Sequence, residues 1–85
     1  MGNLINDYNR IKKSFPNYTV WMNINGFVQT FNGDAKITSS ICETEIVYRN
    51  DEEYYVTGFK ENKLNDFLKT MIRHKKKVAY LKNEE

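Results

Sequence analysis

The chain has a single cysteine, Cys42, so no disulfide can form within it. A small secreted scaffold held by crosslinks is therefore excluded, and a reducing cytoplasm is the expected setting. A cysteine-poor secreted protein reads the same way. No apolar run approaches the roughly 20 residues that cross a bilayer, and no signal-peptide core stands at the start. No membrane partner is implied. The opening MGNLIN has Asn6 where myristoylation needs Ser or Thr. NYT at 17–19 has the form of a glycosylation acceptor, which means little without a secretion signal. His74 and Cys42 are the only soft metal-ligand types, and one of each builds no site. No metal or cofactor is expected. Nor is there a large excess of charge, since the net is only +2, which alone points to no class of partner.

What is present is enough to fold. Eighty-five residues make one expected domain, 1–85. The apolar content of 40% with 14% aromatics argues against disorder. Charge is unevenly placed. Lys12 and Lys13 lie near the start, Arg73 and Lys75 to Lys77 near the end, and Glu43, Glu45, Asp51, Glu52 and Glu53 in the middle. An anion-binding face has to come from the ends and from the amide-rich stretch NGFVQTFNGDA, residues 25–35.

Periodicity sets the element order. Leu4, Ile5, Tyr8, Ile11 and Phe15 recur at three- and four-residue steps, predicting a helix over about 3–14 with Asn3 as cap and Pro16 as stop. YTVWMNI reads as a strand with Val20, Met22 and Ile24 on one face and Trp21 on the other. Asn25-Gly26 is the strongest turn signal in the chain, because both residues tolerate positive φ. FVQTF reads as the returning strand, with Phe27, Gln29 and Phe31 on one side. NGDAKITSSIC predicts a second helix, capped by Asn32 or Asp34, with Ala35, Ile37, Ile41 and Cys42 buried. TEIVYR and EYYVTGF read as strands joined at NDEE. Leu64, Phe67, Leu68, Met71 and Ile72 form the stripe of a third helix within NKLNDFLKTMIRH. KVAYL closes as a strand. The order is α-β-β-α-β-β-α-β, an α/β (α+β) sheet with helices packed on it.

In this order the chain resembles domain I of the MutS family, the mismatch-recognition domain of DNA mismatch-repair proteins. YNRIKKSFPNYTVWMNINGFVQTFNGDA is similar to that family's opening, a helix, a strand and then GDFYElFydDA. YYVTGFKENKLNDFLKTMIRHKKKVAYLKN is similar, without a gap, to its closing pMAGIPyHalenYLakLv..G.kVAicEq. The stretch between has the length of the family's helix, strand and variable turn. The likeness covers about residues 8–83, and order and spacing carry it more than any single motif. It implies a mixed sheet of about five strands with flanking helices. The family reads mismatches with Phe-x-Glu, where the Phe stacks on a mispaired base from the minor groove and the Glu hydrogen-bonds it. Here that Phe falls on Phe27 and that Glu on Gln29. An apolar wedge unstacks a base step at a cost of a few kcal/mol, smallest where pairing is already poor.

The departures matter. Gln29 donates as well as accepts, whereas an ionised Glu only accepts. Val28 replaces a Tyr. Asn25 holds the place of a glycine that has shifted to Gly26, and AGIP has become TGFK without its proline. The change at Gln29 is expected to weaken mismatch discrimination more than DNA affinity. The chain has no G-x-x-x-x-G-K-[ST] loop and no room for the family's connector, lever, clamp and ATPase domains, so it does not perform repair alone. It reads as a fragment or as a free-standing relative.

The expectation is a non-catalytic DNA-binding domain with Phe27, Gln29 and Asn25 at its tip and double-stranded or mismatched DNA as partner. The competing reading of Phe27 is a sheet-packing aromatic. The alternative function is a protein-interaction or regulatory adaptor that keeps the fold and binds a protein partner. RHKKK at 73–77 is placed to grip phosphates, or is simply a solvated turn at a helix C-terminus. Cys42 reads as a small core residue rather than a nucleophile. Glu43 and Glu45 fall on one face of a strand as a carboxylate pair, but the domain offers little cleft for catalysis. No catalytic residue is assigned.

Overall fold

A computed structural model describes residues 4–83. Asn3, the expected first cap, lies outside the described residues. The first helix, α1 (Leu4–Ser14), stops short of Pro16, whose ring disfavours helical backbone in the residue before it. Strands β1 (Thr19–Ile24) and β2 (Phe27–Phe31) form a hairpin, followed by α2 (Asn32–Cys42). Next come β3 (Ile46–Arg49) and β4 (Tyr54–Lys60). A short 3-10 turn at Glu61–Lys63 leads into α3 (Leu64–Arg73), and β5 (Val78–Asn83) closes. The five strands make one sheet in the order β3-β4-β2-β1-β5. β5 runs parallel to β1, and the remaining pairs are antiparallel.

Side chains alternate across a strand, so the sheet carries a core on each face. On one face Val20, Met22 and Phe31 pack under Tyr8, Leu4, Ile5 and Ile11 of α1. On the other, Trp21, Val28 and Phe59 meet Met71, Phe67 and Leu68 of α3 and Ile37 and Ile41 of α2. Each large side chain buried this way contributes roughly 2 kcal/mol. Trp21 is fully buried, and its Nε1 donates to Thr38 Oγ1 at 3.0 Å, which satisfies its one polar atom. Phe31 belongs to this core. Cys42 is half-buried on the stripe of α2, and burial pushes its thiol pKa up, away from thiolate chemistry.

Three expectations fail on local geometry. Neither Asn32 nor Asp34 caps α2. Its N-cap is Phe31, which makes no side-chain cap bond. Asn32 sits at φ 52 and accepts the Tyr55 N–H at 3.2 Å, while Asp34 turns inward to the core. Ile72 is exposed rather than part of the α3 stripe. At about 100° per residue it stands some 80° round from Leu64, on the helix flank. Glu43 and Glu45 share no strand face. Glu43 is the left-handed C-cap of α2 at φ 59, and β3 begins only at Ile46.

The end of α3 carries a conformational cost. The Lys75 N–H donates to Ile72 O at 2.8 Å and the Lys76 N–H to Met71 O at 3.0 Å, the pair of bonds that closes a Schellman turn. Lys75 holds the left-handed position at φ 60, which favours glycine. Lys75→Gly is expected to stabilise the fold by about 1 kcal/mol, read as a higher urea midpoint at unchanged m-value. A lower midpoint would contradict the strain assigned there.

Candidate functional site

Asn25 and Gly26 take φ 53 and 89, two successive left-handed residues, as the tightest right-twisting hairpin requires. Buried Asn23 holds this turn from within. Its Oδ1 accepts the Gly26 N–H at 2.9 Å, and its Nδ2 donates to the Tyr80 hydroxyl at 2.7 Å. The Glu61 N–H donates to Gly26 O at 2.9 Å, tying the turn to the end of β4. Lys82, by hydrogen bond and charge, holds the Glu61 carboxyl below the usual range. The hairpin that carries Phe27 is therefore braced from β4, the 3-10 turn and β5.

Phe27 is 41% exposed. Directly opposite it in β4 is Lys60, and opposite Gln29 is Gly58. The Phe27 ring leans diagonally onto Gly58, where there is no side chain to stop it. A Cβ on Gly58 would lie 2.7 Å from Phe27 Cε2 and 2.7 Å from the Val28 carbonyl oxygen. One residue beyond the Ile46–Thr57 pair, Glu45 comes level with Gly58 from the β3 side. The result is a shallow cavity of about 240 Å3 in which Phe27, Gln29, Gly58, Glu45, Val47 and Val56 meet. α1 covers the other part of this sheet face through Val20, Met22 and Phe31, and leaves this part open.

The structure thus brings Phe27 and Gln29 together on one face. Asn25 is exposed at the turn and is absent from the cavity lining, so it shapes the hairpin rather than the cavity wall. Gly58, Val47 and Val56 carry no site reading from sequence, and Glu45 carries one only as half of a carboxylate pair with Glu43, which is absent from this lining. A glycine inside a strand pattern marks close approach of another group, and TGF was the signal available for Gly58. The local charge is mixed, with Lys60 beside Phe27 and Glu45 across Gly58.

The lysine turn lies elsewhere. Lys75, Lys76 and Lys77 line a second cavity with Lys12, Tyr18 and Asp34. The Thr19 N–H donates to Lys77 O at 2.8 Å, which places this cluster at the start of β1. Phe27 follows the end of that strand, roughly 17 Å away along β1. Asp34 at the cavity floor is already committed. It accepts from Tyr8 Oη at 2.7 Å, Val20 N at 3.0 Å and Lys12 Nζ at 3.0 Å. Burial, followed by the hydrogen bond to Asp34 and its charge, raises the Tyr8 phenol pKa. No group of three or more metal-ligating side chains occurs among the described residues, and no helix there is long and apolar enough to cross a membrane.

A family model described as MutS domain I matches residues 3–85. No curated protein matches the chain.

Proposed function

The chain belongs to the MutS domain I family, and from that membership we propose a small, non-catalytic DNA-binding domain in which Phe27 is a base-stacking wedge and Gln29 hydrogen-bonds the base. The observation that carries the proposal is the half-exposed Phe27 ring, held by a braced hairpin on the uncovered part of the sheet beside Gln29. A rigid apolar edge of this kind enters a base step most easily where pairing is already weak. Gln29 supplies a donor and an acceptor without needing a proton. Lys60, opposite Phe27, is placed to meet a phosphate, and Asn25 borders the same approach. The domain has a cytoplasmic setting, and mismatch preference is modest because Gln29 replaces the acceptor-only Glu. The uncovered apolar side chains Phe27 and Val47 favour a second reading, in which the same face takes a protein partner.

Fluorescence anisotropy on matched, mismatched and single-stranded DNA across a salt series tests the proposal. Phe27→Ala is expected to bind mismatched duplex about tenfold or more weakly, with its urea midpoint close to that of the natural chain. Equal affinity of the two proteins contradicts the wedge. No binding by either at low salt favours the protein partner.

A further inference from the structure

We propose that Glu45 is the specificity-determining residue of this cavity and that its ligand is the exocyclic amino group of guanine, a reading that rests on the DNA proposal above. Gln29 of β2 pairs with Gly58 of β4, Glu45 directly precedes β3 one residue beyond the Ile46–Thr57 pair, and all three line the cavity. Neighbouring strands lie about 4.8 Å apart, so Gln29 and Glu45 flank a gap of roughly 10 Å between backbones. The floor of that gap is the glycine with the Phe27 ring leaning over it. A planar base stacked on Phe27 presents its edges to the two polar side chains. The backbone beneath Glu45 is fixed, because Thr57 Oγ1 donates to Glu45 O at 2.6 Å and lies 2.6 Å from Thr44 Oγ1.

The chemistry of the two flanking groups differs. Gln29 offers a donor and an acceptor and matches most base edges. A carboxylate only accepts, so Glu45 gains from a donor and repels a phosphate or a carbonyl edge. In the minor groove, adenine and thymine show acceptors alone, and the guanine N2 amino group is the one donor. A carboxylate in this cavity therefore weakens general DNA affinity and recovers it selectively at guanine.

The test uses duplexes with one G·T mismatch or one inosine·T mismatch, flanked by A·T pairs, at a single ionic strength. Inosine is guanine without the N2 amino group. The full chain is expected to bind G·T about tenfold more tightly than inosine·T, as for one hydrogen bond to a charged group. Glu45→Gln is expected to narrow that ratio to about threefold, as for a hydrogen bond between neutral groups, while its affinity for the inosine duplex rises as charge repulsion is removed. Glu45 is exposed and off the core, so the variant folds. Equal binding of G·T and inosine·T by the natural chain overturns the inference, as does an unchanged ratio in Glu45→Gln. Phe27→Ala, measured in parallel, separates the two failures. If it loses the duplex while Glu45→Gln keeps the guanine ratio, the wedge stands and the role of Glu45 falls. If it binds as the natural chain does, both fall.

Discussion

Asp34→Ala is expected to lose about 3–5 kcal/mol of folding stability, which appears as a large drop in urea midpoint. That is a large share of the roughly 4–13 kcal/mol that a chain of 85 residues holds. Asp34 is 4% exposed, and its carboxylate accepts from three donors, the Tyr8 hydroxyl and the Lys12 ammonium of α1 and the Val20 N–H of β1. Alanine leaves the buried Tyr8 phenol and Val20 N–H without their acceptor and takes the counter-charge from the partly exposed Lys12 ammonium. The Lys12 ammonium also donates to the Tyr18 carbonyl, so the residue that remains is still held near the vacated site. Asp34→Asn keeps an oxygen for two of the three donors and is expected to lose less, about 1–2 kcal/mol. Equal stability of Asp34→Ala and the natural chain would remove Asp34 from the account of how α1 is fastened to the sheet.

Gly58→Ala is expected to lower stability by about 1–3 kcal/mol and to weaken duplex binding together with it. Its added Cβ meets two groups of different give. The Phe27 ring, 2.7 Å away, can swing outward. The Val28 carbonyl oxygen, also at 2.7 Å, belongs to the ladder between β2 and β4 and can move only if those strands move. The first adjustment displaces the wedge and the second strains the sheet. Gly33 is the control. It lies in α2 with no atom within 4 Å of a built Cβ, and Gly33→Ala is expected to be neutral or to stabilise by less than about 1 kcal/mol. Unfolding curves for the two variants, with anisotropy on the same mismatched duplex, check both effects.

Local signals carried much of this fold. Asn25-Gly26 marks its hairpin because few other dipeptides accept two left-handed residues, and Leu64, Phe67, Leu68 and Met71 mark α3 because four apolar residues share one helical face. Pairings that depend on the register of distant strands left no local trace. Nothing near Glu45 in sequence says that it comes level with Gln29, because that depends on β4 lying between them. Asp34 shows a different limit. An acidic residue in the first turn of a helix looks the same whether it caps that helix or reaches across to another, and here Tyr8, Lys12 and the Val20 N–H claim it. Lys75 to Lys77 carried a phosphate reading from sequence, yet their turn lies at the end of β1 away from Phe27. Ile72 looked apolar enough to be buried, but α3 turns it past the edge of its contact with the sheet.

The most direct test is whether the Phe27 ring enters the base stack. A fluorescent adenine analogue placed beside a mismatch is quenched by stacking and brightens when its neighbour is displaced. At saturating protein the natural chain is expected to brighten the analogue at the mismatch and to leave it dim in the matched duplex. Phe27→Ala is expected to leave both dim. Equal fluorescence from the natural chain and Phe27→Ala, with each bound, would contradict the claim.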